Sequence, residues 1–417
     1  MLRNLKPKSE FSRNVLTLMT GTTIAQAIPI AISPILTRIY TPEDFGIFAL
    51  YMSVASILSV VATGRYELAI MLPKKDEDAM NIVVLSITIS FLVSLISLVI
   101  VSVFNKKITD LLGNSEISMW LYFIPLTVLL TGVYQSFNYW LNRKKQYKRL
   151  ASNRIMQSGV TAIANLSMGF AELGRSGLII GSIVGKSVAT IVLVRKVLIE
   201  DRFFLKKVEK LKIFILAKRY IQFPKFDIWA SLLNVFSYQI THILFNTLFN
   251  STIAGYYYLT QRILGLPFAF VASAISDVFR EQASSDFKKF GSAATIYKST
   301  FIKLFVLGLF PSIILYFFSV DLFTIVFGKK WTIAGEYVQI LTPMLFIKFI
   351  ASPLSFMLYI GEKQKLNFYS QALFLISILY SFLVGKDAYE VLRNMAWLFS
   401  FVYIYYIFIS AKIAKVF

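Results

Sequence analysis

The sequence predicts an all-α polytopic membrane protein of about twelve transmembrane helices, arranged as two six-helix lobes with a path between them. Three observations predict it. Hydrophobic residues make up 57% of the 417 and charged residues only 16%, where a soluble domain carries about a quarter. Long apolar runs recur, such as IVVLSITISFLVSLISLVIVSVF at 82–104; about 20 such residues cross the hydrocarbon core, and their continuity excludes a β-barrel of alternating ten-residue segments. Finally, the second half of the chain echoes the first.

The first apolar segment, 14–37, is too long for a signal-peptide core and lacks a small-x-small cleavage site, so it reads as a permanent span. The others follow at 46–72, 82–104, 119–141, 151–173, 177–195, 223–249, 255–276, 299–320, 335–360, 367–384 and 394–411. With the N-terminus in the cytoplasm, the inside segments hold 28 Lys and Arg residues and the outside segments 8. The positive-inside rule then puts both termini in the cytoplasm. The net charge of +21 is explained by topology and by attraction to anionic lipid headgroups, with no need of nucleic acid. The outside connections are too short for a folded domain. The longest inside connection, 196–222, is basic and partly amphipathic and reads as a linker on the inner leaflet. It divides an N-terminal lobe, 1–195, from a C-terminal lobe, 223–417.

The echoes are GIFALYM at Gly46 against GYYYLTQ at Gly255, and LNRKKQY at 141 against IGEKQKL at 360. Six spans per repeat is an even number, so the repeats are parallel, related by an axis along the membrane normal. Pro29, Pro34, Pro125, Pro267, Pro311, Pro343 and Pro353 fall within spans. Each is a static bend or a point of flexing.

Cysteine is absent and histidine occurs once, at His242, which leaves no disulfide and no thiolate or histidine metal site. No GxxxxGK[ST] phosphate loop occurs, so the chain is not itself an ATPase. No catalytic constellation and no cofactor motif appears, and the chain reads as a non-enzyme.

The informative residues are charges inside spans. Arg154, Lys225 and Lys303 lie within about a turn of a span end and can snorkel. Arg65 and Arg262 lie roughly 10 Å deep, and Lys186 and Lys348 fall near the midplane. Deep cations face a wet cavity or the bundle interior and mark substrate or ion pathways. Arg65 and Glu67 are two residues apart, about 200° around a helix, so they do not face each other. Each then pairs with another helix, or Arg65 faces water. Deep acids are few: Glu67, and Asp227 a turn into the seventh span. The excess of cations predicts a cationic cavity and an anionic cargo. Glu67, Asp227 and the titratable His242 are candidates for coupling to an ion.

ILTRIYTPEDFGIFALY (35–51), GRYELAIMLP (64–73) and AGYYYLTQRILGLPFAFVASAISDVFREQAS (254–284) resemble signatures of the Wzx-type polysaccharide flippases. These belong to the multidrug/oligosaccharidyl-lipid/polysaccharide (MOP) exporter superfamily. The resemblance covers both halves, with Arg38, Arg65, Arg262 and Pro267 at matching positions. It implies two lobes around a cavity opened alternately to either side. It also implies export of undecaprenyl-diphosphate-linked oligosaccharide repeat units across the bacterial inner membrane, for O-antigen or capsule assembly. The cavity cations Arg38, Arg65, Arg262, Lys186 and Lys348 would hold the diphosphate. A polysaccharide polymerase and a chain-length regulator are the partners it implies, and a monomer suffices. The additional spans of related lipid II flippases are missing. Two rivals remain: a drug/cation antiporter, which calls for deep acids, and a polytopic polymerase, which calls for a long outer loop.

Overall fold

The computed structural model describes residues 10–417, apart from the side chains of residues 10–16, 266, 267, 269, 270, 274, 364, 367 and 368. The basic stretch 1–9 and the side chain of Pro267 lie outside the described residues. All regular elements among those described are helical. The chain divides into two compact units, Met1–Thr252 and Ile253–Phe417. The sequence reading puts the division in the 196–222 linker; the seventh span instead sits with the first unit, packed along the second span.

In the first unit, α1 (Glu10–Ala31) runs into α2 (Ser33–Ile39), which carries Pro34 in its first turn. Helix α3 (Pro42–Val61) opens on a reciprocal capping box between Thr41 and Asp44, with Pro42 in the first turn, which satisfies donors the helix cannot satisfy itself. Helix α4 (Asp76–Leu111) carries Asp76, Glu77 and Asp78 in its first turn, where negative charge is favoured. Then come α5 (Ile124–Arg143), α6 (Tyr147–Phe170), α7 (Arg175–Glu200), α8 (Lys210–Arg219) and α9 (Ile228–Leu248). Helices α6 and α7 meet along Gly177, Gly181 and Gly185. A Cβ added at Gly181 would fall 1.9 Å from Asn165 Oδ1, and one at Gly185 1.9 Å from Thr161 Oγ1. Small residues at every fourth position let backbones approach where no hydrophobic effect drives helices together.

The linker does more than lie on a surface. It breaks into Arg202–Leu205 and α8, and Leu216 joins a buried cluster with Ile82, Trp140 and Val197. Lys207 pairs with Glu77, and the Glu209 N–H donates to Asn81 Oδ1 at 3.0 Å. Trp140 Nε1 donates to Asp201 Oδ2 at 2.9 Å, and Asp201 is only 7% exposed. Trp140→Phe should therefore destabilise the protein by about 1–3 kcal/mol, because a buried acceptor loses its donor. Asp201→Asn in the same background should recover part of that loss, read as melting temperature in detergent; no recovery would show that ring volume alone matters.

The second unit begins within α10 (Ser251–Phe290), followed by α11 (Ala294–Phe327), α12 (Thr332–Leu354), α13 (Gln364–Val384) and α14 (Ala388–Ile413). Helix α12 is the central one, packed on both α11 and α14, and it buries Tyr337, Val338 and Leu341. Thr260 Oγ1 of α10 donates to the Ala334 carbonyl at 3.0 Å. The rhyming stretches near 141 and 360 adopt the same turn. Lys145 and Glu362 are both left-handed (φ 55° each). The next N–H in each reaches back five residues, Gln146 to Leu141 O and Lys363 to Leu358 O, which is the Schellman way of ending a helix.

Each of the twelve expected segments overlaps a helix. Among the described residues, eight helices are long and apolar enough to cross a membrane, or nine if Ser115–Leu121 and Ile124–Arg143, bent by 48°, count as one span. Tyr369–Val384 is apolar but shorter; α6 and α10 are the two remaining. One boundary is corrected. The second span was expected over 46–72, yet its helix stops at Val61 and residues 66–71 form a 3-10 turn. That break decides where Arg65 points.

Candidate substrate-binding site

After Val61 the chain turns through Gly64 (φ 60°) and Arg65 (φ 62°), both left-handed. Glycine takes this conformation freely, whereas arginine does so at a cost of order 1 kcal/mol that the surroundings must hold in place. The reversal swings the Arg65 guanidinium between two carboxylates. Its Nε donates to Asp227 Oδ2 at 2.6 Å and its Nη1 to Glu67 Oε1 at 3.2 Å. Glu67 is 1% exposed and also accepts from the hydroxyl of Thr63. Asp227 ends a π-turn, Phe223–Asp227, at the start of α9.

Two expectations are thereby corrected. Arg65 and Glu67 do pair, because the 200° argument assumes a continuous helix and none exists here. Arg65 is also not a free cation: with Glu67 and Asp227 it forms a cluster of one positive and two negative groups. Of the two alternatives left open for Arg65, a partner on another element or water, Asp227 supplies the first.

Lys186 lies on α7 with its ammonium 4.7 Å from the centre of the Tyr134 ring on α5. No carboxylate comes within 4.0 Å of it among the described residues. Arg154, expected to snorkel at a span end, reaches across to α1. Its Nη1 donates to Thr22 Oγ1 at 2.6 Å, and its guanidinium lies near the Tyr134 hydroxyl. One tyrosine thus gathers two cations from neighbouring helices, a role that no feature of the sequence announced. Arg38, in the last turn of α2, is exposed and outside this group. His242 is half-buried on α9.

In the second unit, Arg262 is half-buried on α10. Lys348, on α12, lines a cavity of about 320 Å³ together with Asp277 and Arg280 of α10. Arg280 pairs loosely with Asp277 at 3.9 Å. The sequence reading left Arg280 among the loop charges. The run Ser273, Ser276, Asp277, Arg280 has the i, i+3, i+4, i+7 spacing of one helix face, and that spacing was the available signal. No group of three or more His, Cys, Asp or Glu residues fit to hold a metal ion occurs among the described residues.

Many helices long and apolar enough to span, bent at intervals and carrying charges inside, define a multi-pass membrane protein of a transporter fold. Solved structures show the same fold. An inward-facing multidrug resistance MATE family transporter of the MOP superfamily superposes with TM-score 0.70 at 12% identity, covering 95% of each chain. The lipid II flippase MurJ, in an inward closed conformation, gives 0.73 at 14%, covering 96% of this chain and 87% of that one. A MOP superfamily transporter from Pyrococcus furiosus, described as having a binding pocket of reverse polarity, gives 0.62 at 13%, covering 96% and 94%. No curated protein sequence matches. Residues 35–335 match the polysaccharide biosynthesis protein family, and the chain belongs to it.

Proposed function

We propose that the chain is a flippase that carries undecaprenyl-diphosphate-linked oligosaccharide repeat units from the cytoplasmic to the outer leaflet of the bacterial inner membrane, by alternating access, for O-antigen or capsule assembly. The observation that carries the reading is the pair of deep lysines, Lys186 and Lys348, one in each unit, with no ion-pair partner among the described residues. Cations kept unneutralised at such depth are expensive unless an anion visits them. A diphosphate is such an anion. A sugar chain cannot cross hydrocarbon unaided, because each desolvated hydroxyl is unfavourable; a polar route through the protein removes that barrier while the lipid tail stays in the bilayer. The family match and the flippase among the structural neighbours support this substrate class.

The Arg65 cluster fits the same scheme. Asp227 occupies one edge of the guanidinium, where a phosphate oxygen would bind. An arriving headgroup competes with Asp227 and frees the start of α9. Arg38 and Arg262 complete the cationic set by resemblance. Orientation with both termini cytoplasmic, sufficiency of a monomer and cooperation with a polymerase and chain-length regulator belong to this proposal.

A second reading has one observation in its favour. The Arg65–Glu67–Asp227 cluster sets two carboxyl groups against one guanidinium, which suits a proton or cation more than a phosphate. In the flippase this cluster is the coupling-ion site, His242 being the other candidate; in a drug/cation antiporter it would be the cargo site. Deleting the gene and complementing with wild type and with Arg262→Ala separates these. The flippase predicts loss of surface glycan, with intact lipid-linked units held on the cytoplasmic leaflet. Normal surface glycan with raised sensitivity to cationic compounds would establish the antiporter, and outer-leaflet units left unpolymerised would establish a later enzyme.

A further inference from the structure

Helices α3 and α9 lie antiparallel, and three contacts fix their register. The Arg65 guanidinium, just past the end of α3, meets Asp227 at the start of α9. Midway, Ser53 Oγ donates to Gln239 Oε1 at 3.0 Å. Near the far end, Asn246 Nδ2 donates to the Gly46 carbonyl at 3.4 Å. The 20 residues of α3 rise about 30 Å, the thickness of the hydrocarbon core. The far end therefore lies at the opposite membrane face from the Arg65 cluster, and in the orientation proposed above it faces outward.

A cavity of about 330 Å³ opens at that far end. Its walls are the first turn of α3 at Glu43, the turn 113–116, and the chain from Asn246 to Thr252 that leads from α9 into α10. These segments are pinned to one another. Asn114 Oδ1 accepts from the Glu116 N–H at 2.8 Å, and its Nδ2 donates to Ser251 Oγ at 2.5 Å. Gly46 packs directly on the Ser251 backbone. The lining holds no Lys and no Arg; amides, hydroxyls and the two carboxyl groups of Glu43 and Glu116 make up nearly all of it, with one ring, Phe249. Glu116 pairs with Arg175, whereas Glu43 is exposed. Asn246 is the informative residue. It is 2% exposed, yet its side-chain bonds among the described residues are all long: 3.4 Å to the Gly46 carbonyl, 3.4 Å from Asn114 Nδ2 and 3.5 Å from Ser251 Oγ. Such bonds normally close to about 3 Å, and a buried polar group held this weakly is costly. A hydroxyl entering the cavity supplies what it lacks.

We propose that this cavity is a saccharide subsite that accepts uncharged or amino sugars and turns away acidic ones. A side-chain amide presents a donor and an acceptor in one plane, which matches two adjacent hydroxyls of a sugar ring, and Asn114, Asn246 and Asn250 offer that pattern three times. Phe249 gives the C–H face of a ring an apolar surface. The carboxyl groups accept from hydroxyls or from an amine. No cation lines the cavity to receive a uronate or a phosphate, so an acidic sugar meets like charge, and discrimination of this kind comes from the repulsion as much as from the attraction. A bare divalent cation fits poorly, because its oxygens must close to about 2.3–2.6 Å and this cavity is far wider. The site is thus opposite in sign to Lys186 and Lys348, and it recognises a different part of a lipid-linked sugar. That the sugar bound is the exported one, met as it leaves, rests on the flippase reading; recognition of sugar by the cavity does not.

The test uses the purified full-length protein in phosphatidylcholine nanodiscs and saturation-transfer difference NMR, with empty nanodiscs as the blank. The probes are N,N′-diacetylchitobiose, lactose, glucosamine and digalacturonate, and calcium chloride is titrated separately by calorimetry. At least one of the first three should bind, and digalacturonate should not. The half-saturation concentration of the bound sugar should rise about tenfold or more in Asn246→Leu, the scale of one or two lost hydrogen bonds. Glu43→Lys, on an exposed turn, should admit digalacturonate and weaken glucosamine. Failure of all three uncharged and amino sugars to bind wild type overturns the proposal, as does preference of wild type for digalacturonate, or equal binding of every probe by wild type and both variants. Calcium binding that depends on Glu43, with no sugar bound, also overturns it and assigns the cavity to an ion. Should Asn246→Leu not fold, Glu43→Lys decides: an unchanged preference between digalacturonate and glucosamine sinks the proposal. Binding is read without transport. A protein that binds these sugars through Asn246 yet exports no glycan loses the flippase reading alone. One that exports glycan while no sugar binds here loses this site alone.

Discussion

Arg65→Ala should lower the stability of the protein by about 3–5 kcal/mol, the largest loss of any single substitution in the cluster. The reason is Glu67. Its carboxyl is 1% exposed, and the Arg65 guanidinium at 3.2 Å is the one ion-pair partner it has among the described residues. Removing one partner of a buried pair leaves an uncompensated charge, which is far more damaging than losing the pair as a whole. Asp227 contacts the same guanidinium at 2.6 Å, but its side chain is 39% exposed. Water can replace Arg65 there, so Asp227→Asn should change stability by about 0–1 kcal/mol. The double variant Arg65→Met/Glu67→Gln should recover most of the loss, because no charge is stranded. Melting temperatures of the four purified proteins give the order. Arg65→Ala and Asp227→Asn melting together would mean that Glu67 is not buried as described. Export should follow a different order: Arg65→Met/Glu67→Gln should fold and fail to export, and Asp227→Asn should fold and export with altered coupling. Surface glycan at matched membrane levels reads this directly, and full export by the double variant would remove Arg65 from the pathway.

The second large effect is expected at Gly46. It lies on the buried side of α3, and a Cβ there would sit 1.8 Å from the carbonyl oxygen of Ser251 and 2.6 Å from its carbon. Both are backbone atoms, so no rotamer change relieves the contact. Gly46→Ala must push α3 away from the chain leading into α10, and overpacking of this kind costs about 1–3 kcal/mol or more. Gly159, in the middle of α6, makes the control. A Cβ there meets nothing within 4 Å, and Gly→Ala inside a helix otherwise gains about 1 kcal/mol. The same substitution should thus have opposite signs at the two sites. Thermal unfolding of the two variants side by side checks it; loss at both would point to a shared effect of the added methyl group in the membrane and not to the contact with Ser251.

Gly46 also shows how much of the fold was legible. As sequence it was an echo, the first residue of a Gly-x-aromatic-x-Leu run repeated at Gly255. Its reason for being glycine became visible only when Ser251 arrived beside it. The glycines 177, 181 and 185 are legible in the sequence, since small residues four apart mark a close helix contact in lipid, although hydropathy carries no trace of them. The rhyme of LNRKKQY with IGEKQKL was readable and proved to be one turn type used twice. Arg280 is legible from helical spacing with Ser273, Ser276 and Asp277, but it lies past the apolar run that hydropathy marks. The pairing of Arg65 was not readable, because a hydropathy window runs straight through residues 62–72 and gives no hint that two successive left-handed residues end the helix.

The sequence by itself determined the class: a chain of repeated apolar runs has no stable home but the bilayer, and in the bilayer its backbone must hydrogen-bond within helices. It also determined which charges lie deep, since depth follows from residue count at a constant rise. Only the tertiary structure decided what those charges do. Asp227 lies 162 positions from Arg65 in the chain and 2.6 Å away in space, and Lys348 shares a cavity with Arg280 on a different helix. Periodicity is a property of one segment, whereas an ion pair or a cavity needs at least two segments at a fixed separation, and no local pattern encodes that separation.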